Sequence, residues 1–353
     1  MKDRVVVVGE LHQDLYYESD FYENLVSKIV DRLRTFFRYN PDDFSKKVLT
    51  RLVKKGFEDT PKKIIGNSYF KRGGNGNNSS EFLANLGVPT KLVSVVGRGS
   101  EWMYPELEEL GIDTDDIYKI DEITPVSTII KSDFTTKIHL APNLKNQMNF
   151  QSVDLKADIF TNGKIIFSTP IAKKFINIFE KAADQGLITA FNIETQKIRS
   201  IDKLNRLINR RYHIFFLNLR DAYFILDKKI SVEEVDAIFN KYAKIRVYTA
   251  GKEGSYILTD DFKIHYEGIE VDAVVDRTGA GDCYAAGFIT KLYQFVEDHA
   301  ELDQLLEEKK VNSLKKILKE CGKLATYSAI YKITKQKPPT MDELEGFGQE
   351  FDI

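Results

Sequence analysis

Val274 to Phe288 reads VVDRTGAGDCYAAGF, a β-branched pair followed by a Gly-Ala-Gly-Asp turn and a run of small and apolar residues. The strand-forming stretch ends at Val275 and the turn begins at Asp276-Arg277-Thr278-Gly279. Beyond it, Ala285, Ala286, Phe288, Ile289 and Leu292 recur at helical spacing. Gly279, Ala280 and Gly281 therefore fall at a helix N-terminus, where unsatisfied N–H groups and the positive end of the helix dipole favour a phosphate or a developing phosphoryl anion. Asp282 falls in the first turn, where a carboxylate can take the proton of a hydroxyl as its oxygen attacks phosphorus. Taken alone, the same residues suit a tight turn with a helix-capping acid equally well.

The rest of the chain weighs on that choice. The short apolar runs VVVVG, TKLVSVVG, KIIFST, LITAFN, HIFFLNL and IRVYTAG each end in small or polar residues and alternate with amphipathic stretches. This pattern predicts an α/β fold with a mostly parallel central sheet and crossover helices. Ligands bind beyond the carboxyl ends of such strands, so the segments ending at Asp14, Gly97, Ser168, Asn192, Asn218 and Gly251 are candidates for one rim. Two regions break the alternation. Residues 19–63 carry Phe21, Leu25, Ile29, Leu33 and Phe37, and after Asn40-Pro41 also Phe44, Val48, Leu49, Leu52 and Val53, which predicts a pair of amphipathic helices inserted into the fold. Residues 125–150 alternate β-formers with polar residues in STIIKSDFTTKIHLAP, which predicts antiparallel strands outside the main sheet, suited to a lid.

Composition narrows the function classes. A chain of 353 residues with 42% hydrophobic content can bury a sizeable core. Lys and Arg number 51 against 53 Asp and Glu, a net charge of −2, so there is no general pull toward nucleic acid or an anionic membrane and any anion site has to be local. The two cysteines, Cys283 and Cys321, make no disulfide framework or zinc cluster, which favours a reducing interior and a cytoplasmic protein. The N-terminal apolar run, Val5 to Val8, is followed by Glu10, His12 and Asp14 and reads as a strand rather than an export signal. No apolar run approaches the roughly 18 residues that a membrane span needs.

DRTGAGD, followed by an aromatic and small residues, resembles the second signature of the ribokinase-like (PfkB) carbohydrate kinase family, Asp-x-Thr-Gly-Ala-Gly-Asp. The resemblance implies a three-layer ribokinase-like sandwich with a small β lid, a single kinase domain over 1–353, lid strands within about 12–18, 66–75 and 125–150, and the helical insertion at about 19–63. It implies that Asp282 is the catalytic base and that Gly279, Ala280 and Gly281 form the anion hole. KRGGNGNNSSEFLANLG resembles the first signature, so Gly73, Gly74 and Asn78 are expected on substrate hydroxyls, with Asp14 of GELHQD as the substrate-binding aspartate. HIFFLNLRDA matches Asn-x-x-Glu with an aspartate in the last place, so Asn218 and Asp221 would organise magnesium and phosphate through water. YTAGKEGSYI implicates Thr249, Gly251 and Gly254 at the nucleotide, and PPTMDEL resembles a late segment of the family. The implied cofactors are ATP and Mg²⁺, with a monovalent cation such as K⁺ sought at Asp276. A homodimer through the lid is implied as well, with no nucleic acid or membrane partner.

Alternatives stay open for single residues. His12 either faces the substrate beside Asp14 or is a satisfied polar residue at a strand end, and Arg277 either pairs with phosphate or is solvated. Cys283 is read as a small helix residue, because a catalytic thiol needs a base partner that nothing here supplies. The sequence also departs from the family. Ser168 of FSTP stands where ribokinases proper carry an acidic substrate ligand, which disfavours ribose. GRGSEW, with Arg98 and Glu101, replaces an expected acidic residue, and the connection from Asp14 to Gly73 is unusually long. The leading expectation is an ATP-dependent sugar or polyol kinase. A nucleoside kinase, with Tyr16, Tyr17 and Phe134 as candidates to stack on a base, and a non-catalytic sugar sensor of the same fold are the rivals.

Overall fold

The computed structural model describes residues 3–19, 21–40, 45–58, 63, 65–131, 137–140, 143–195, 197–271, 278–307 and 310–348. Asp276, Arg277 and Phe134 lie outside the described residues. In chain order the elements are β1 (Arg4–Gly9), β2 (His12–Glu18), α1 (Phe21–Tyr39), α2 (Lys46–Glu58), β3 (Asn67–Gly73), α3 (Asn75–Asn85), β4 (Thr90–Arg98), α4 (Met103–Glu109), β5 (Ile112–Asp113), β6 (Ile117–Ile123), β7 (Val126–Lys131) and β8 (Lys137–Leu140). They continue with β9 (Gly163–Thr169), α5 (Ile176–Asp184), β10 (Ile188–Ile193), α6 (Ile201–Leu207), β11 (Tyr212–Asn218), α7 (Leu219–Leu226), α8 (Val232–Phe239), β12 (Ala243–Thr249), β13 (Ser255–Leu258), β14 (Lys263–Tyr266), α9 (Ala280–Phe295), α10 (His299–Glu307), α11 (Val311–Lys335) and α12 (Met341–Gly348). The chain divides into two compact units. The larger gathers the chain up to His12, Arg72–Thr124 and everything from Leu144 on; the smaller gathers Gln13–Lys71 and Pro125–Asn143.

In the larger unit the described strands run in the order β14-β13-β12-β11-β10-β9-β1-β4-β5, with β6 also paired to β4. Pairings from β12 across to β5 and β6 are parallel, and β13 and β14 add an antiparallel edge. β1 explains why VVVV has no polar alternation. Val5 and Val7 join one buried cluster and Val6 and Val8 join another, so both faces of this strand are covered. α9 supplies small residues where it meets α11: a Cβ on Gly287 would come within 2.6 Å of Ser328 Oγ, and the Cys283 thiol donates to the Ser328 carbonyl at 3.2 Å. Cys283 is buried and burial pushes its thiol up, which makes it a packing residue.

In the smaller unit the small sheet runs β3-β2-β7-β8, with β2 parallel to β7 and β7 antiparallel to β8. The two amphipathic stretches form α1 and α2. Among their described side chains Leu25, Leu52 and Gly56 are buried, and a Cβ on Gly56 would meet Ile29 Cγ1 at 2.5 Å, so the helices pack closely at that glycine.

Candidate active site

Asp282 sits in the first turn of α9, one residue beyond Gly281 and with Gly279 capping the helix in the left-handed region. Its side chain is buried, whereas Gly281 is exposed and open space surrounds the position of its missing Cβ. The N-terminal end of α9 thus opens to solvent while the carboxyl beside it is sheltered. Burial pushes the Asp282 carboxyl up to about 7, and a hydrogen bond from Asn78 Nδ2 to Oδ2 at 3.3 Å acts in the opposite direction. A carboxyl titrating near neutrality is matched to taking a proton from a hydroxyl.

Asn78 is delivered by the turn from β3 into α3. Gly74 caps α3 at φ 99, ψ 146, a conformation essentially restricted to glycine, and a Cβ there would meet the Glu10 carbonyl at 2.2 Å. The loop therefore lies directly on the residue that follows β1, and Asn77 N donates to the same Glu10 carbonyl at 3.2 Å. His12 is buried against this loop, with its Nε2 3.0 Å from Lys145 Nζ.

A second group stands at the ends of β11 and β12, which are in register at Asn218 and Thr249. Asn218 caps α7 by accepting from Arg220 N at 2.9 Å, and its Nδ2 donates to Thr249 Oγ1 at 3.2 Å. Asp221 Oδ1 accepts from Thr195 Oγ1 at 3.0 Å, and burial raises this carboxyl above its ordinary range. Gly251 and Gly254 turn the chain between β12 and β13 at positive φ. Gly254 admits no side chain, because a Cβ would lie 1.9 Å from the Tyr266 carbonyl. Ser168 is fully buried and donates to the Pro170 carbonyl at 3.4 Å. In the smaller unit, Asp14 lies on β2 in register with Ser127 of β7. There too the Tyr16 ring stacks on Tyr69 with centroids 5.2 Å apart, and Lys71 Nζ lies over both rings.

Charged residues that the motifs did not single out complete the rim of the larger unit. Glu194, just past β10, accepts a hydrogen bond from Asn75 Nδ2. Burial first, and then the neighbouring carboxylates Asp282, Glu10 and Asp221, push Glu194 up to about 8, while Lys197 pulls the other way. Glu10 receives Lys174 at 2.7 Å and Lys197 at 2.8 Å on the same oxygen. Burial opposes its charge, yet the two lysines hold it at about 2. The signal for these residues was present, since each lies within a few positions of a strand end in the predicted parallel sheet, but no local motif marks them.

The described residues gather no group of three or more His, Cys, Asp or Glu side chains arranged as a metal centre. Asp221 with Asn218 nonetheless fits a hydrated magnesium ion, which commonly takes one or two carboxylates and keeps water and substrate phosphates as its other ligands. A partly desolvated carboxyl such as Asp221 gains from a nearby cation.

The model of the pfkB family carbohydrate kinase matches residues 49–343. The chain belongs to the pfkB family of carbohydrate kinases. This pfkB protein is 26% identical over 188 residues to a probable chloroplastic fructokinase of Arabidopsis thaliana, covering 51% of the chain and 47% of that protein. The match therefore spans about half of that relative's length. It is 30% identical over 226 residues to a nucleoside kinase of Methanothermobacter thermautotrophicus, covering 58% of the chain and 66% of that protein. Among solved structures, an Arabidopsis thaliana ribokinase complexed with ribose and ATP superposes with a TM-score of 0.66 at 15% identity, covering 98% of this chain and 99% of that one. That likeness shows the ribokinase-like fold. Among the described residues no helix is long and apolar enough to cross a membrane.

Proposed function

We propose that this pfkB protein transfers the terminal phosphoryl group of ATP to a hydroxyl of a sugar or polyol, with Asp282 as the catalytic base. The observation that carries this reading is the pairing of a sheltered carboxyl near pKa 7 with an exposed helix N-terminus one residue away. The acceptor hydroxyl gives its proton to Asp282 Oδ1, because Asn78 occupies Oδ2, and its oxygen forms the new bond to phosphorus while the bond to the bridging oxygen of ADP breaks. The amides of Gly279, Ala280 and Gly281 face the charge that builds on the transferring group. Asn218 and Asp221 would hold magnesium through water, and when bound the ion offsets phosphate charge. ATP as donor is supported by family membership and by the ATP found in the Arabidopsis ribokinase of the same fold. The small sheet, which carries Asp14, serves as the acceptor-binding lid of a single kinase domain, with α1 and α2 as its insertion.

A nucleoside acceptor is the second reading, favoured by the 30% identity to the Methanothermobacter nucleoside kinase. A coupled assay for ADP with ATP and Mg²⁺ across sugars, polyols, sugar acids and nucleosides tests both. Turnover is expected for one acceptor class, with kcat/KM rising with pH up to about 7 as Asp282 loses its proton. Asp282→Asn is expected to lower kcat by at least about 10²- to 10⁴-fold with ADP binding retained. Turnover surviving in that variant would remove Asp282 as the base.

A further inference from the structure

Asp282 lies at the end of a series of hydrogen bonds that starts at a largely shielded guanidinium. Arg72, near the end of β3, donates from Nη1 to Asn77 Oδ1 at 2.7 Å. Asn77 Nδ2 donates to Asn78 Oδ1 at 3.2 Å, and Asn78 Nδ2 donates to Asp282 Oδ2 at 3.3 Å. Every link runs one way, from the cation to the carboxyl. A guanidinium has donors only, so it takes the oxygen of Asn77 and turns the NH₂ of that amide onward, and this NH₂ takes the oxygen of Asn78 in the same way. Reversing either amide would set two donors or two acceptors face to face. Arg72 is itself fixed, with Nε 2.8 Å from Glu106 of α4, Nη2 3.4 Å from Glu81 of α3 and its side chain 10% exposed. Asn77 is 1% exposed, where an amide that loses its partners is costly to hold. By itself an asparagine beside a carboxyl has no such direction. Its NH₂ favours the carboxylate, whereas its oxygen pairs only with the protonated acid.

We propose that Arg72 and Asn77 are positioning residues for the base, holding the Asn78 amide with its NH₂ towards Asp282 so that the carboxyl is kept ready to accept a proton. The word base rests on the kinase reading above, while the orientation of the amide can be tested without turnover. The other charged groups on the elements that meet Asp282 and its turn are Glu194 past β10, Glu10 past β1, Asp221 of α7, Glu81 of α3 and Lys332 of α11. All of them stay in place in the substitutions below, so a change in the Asp282 titration reports the series that begins at Arg72.

The test is titration of the Asp282 carboxyl by NMR, in the full chain labelled with ¹³C at its aspartate carboxyls and assigned by the signal missing from Asp282→Asn. It runs beside the coupled assay on the unaltered protein, Arg72→Gln, Asn77→Leu, Asn78→Ala and the double variant Arg72→Gln/Asn78→Ala. Thermal melts establish folding, and Arg72→Met and Asn77→Ala take over where glutamine or leucine prevents it. Arg72→Gln and Asn77→Leu should each raise the midpoint by about one pH unit, because a released amide can turn its oxygen to the protonated carboxyl. Asn77→Leu does this with no change of charge. Once Asn78 is gone, Arg72→Gln should move the midpoint no further. With an acceptor that turns over, kcat/KM should fall roughly tenfold below the midpoint in both single variants and recover above it. A midpoint unmoved in either Arg72→Gln or Asn77→Leu overturns the proposal. A shift by Arg72→Gln that persists in full beside Asn78→Ala also overturns it, since Arg72 would then act through its charge alone. Midpoints that move as expected without any ADP formation would keep the positioning role and sink the kinase reading. ADP formation that follows the Asp282 titration, with midpoints unmoved in the variants, would do the reverse.

Discussion

Glu194 and Asp282 are two carboxyls on one rim that are both driven towards their neutral forms, chiefly by burial. For such groups the folded pKa exceeds the unfolded one. Their favourable contribution to stability is complete below the unfolded value near 4.5 for Glu194, and it is lost as pH rises through about 8. Glu194→Gln keeps the shape and removes the titration. It should leave the melting temperature at pH 4 nearly unchanged and raise it at pH 8, by an amount corresponding to a few kcal/mol. Equal melting curves at pH 8 would mean that Glu194 ionises freely. A gain there would mark the rim as a place where stability is given up for chemistry. Asp282 was legible in the sequence because its partners in the turn are contiguous and the motif is local. Glu194, Glu10, Lys174 and Lys197 were not, because what unites them is strand order, and β10, β9 and β1 are neighbours in the sheet though far apart in the chain.

At the scale of an element, α3 shows how a helix is made to serve a site. Its start at Gly74 is pressed on the Glu10 carbonyl, whereas just past its end Gly87, also at positive φ, has nothing within 4 Å of where a Cβ would stand. Gly74→Ala and Gly87→Ala therefore share the backbone strain, roughly 1–3 kcal/mol, or a few degrees in Tm. Only the first adds a collision that displaces Glu10 and with it the turn carrying Asn78. Calorimetry should find both variants destabilised, and kinetics should find kcat/KM reduced in Gly74→Ala alone. Equal kinetic losses would mean that α3 acts through overall stability and not through the placement of Asn78. The parallel strands themselves were legible because burial on both faces leaves uninterrupted apolar runs. The parallel β2–β7 pairing was not, since alternation in 125–150 signals a half-buried strand without naming its partner.

The whole molecule joins two units of unequal construction. In the larger one, β1, β9, β10, β11 and β12 are buried almost throughout and feed clusters on both sheet faces. In the smaller one, α1 and α2 bury few of their described side chains, while Val26, Val30 and Phe57 stay about half exposed. The amphipathic pattern of 19–63 announced two helices but not what their apolar stripes meet, because hydrophobic spacing fixes a face and leaves its partner open. Protection against hydrogen exchange follows the free energy of the smallest opening that frees an amide, and that energy grows with buried apolar contact. Amides of the five buried strands should therefore exchange only with global unfolding. Those of α1 and α2 should exchange on the order of 100-fold faster or more, through a local opening. Mass-spectrometric exchange on the full chain resolves the two classes. Uniform slow exchange would mean that the stripe bearing Val26, Val30 and Phe57 is covered in solution. Dilution would then discriminate, since cover by a second copy of the chain is lost as concentration falls and cover within one chain is not.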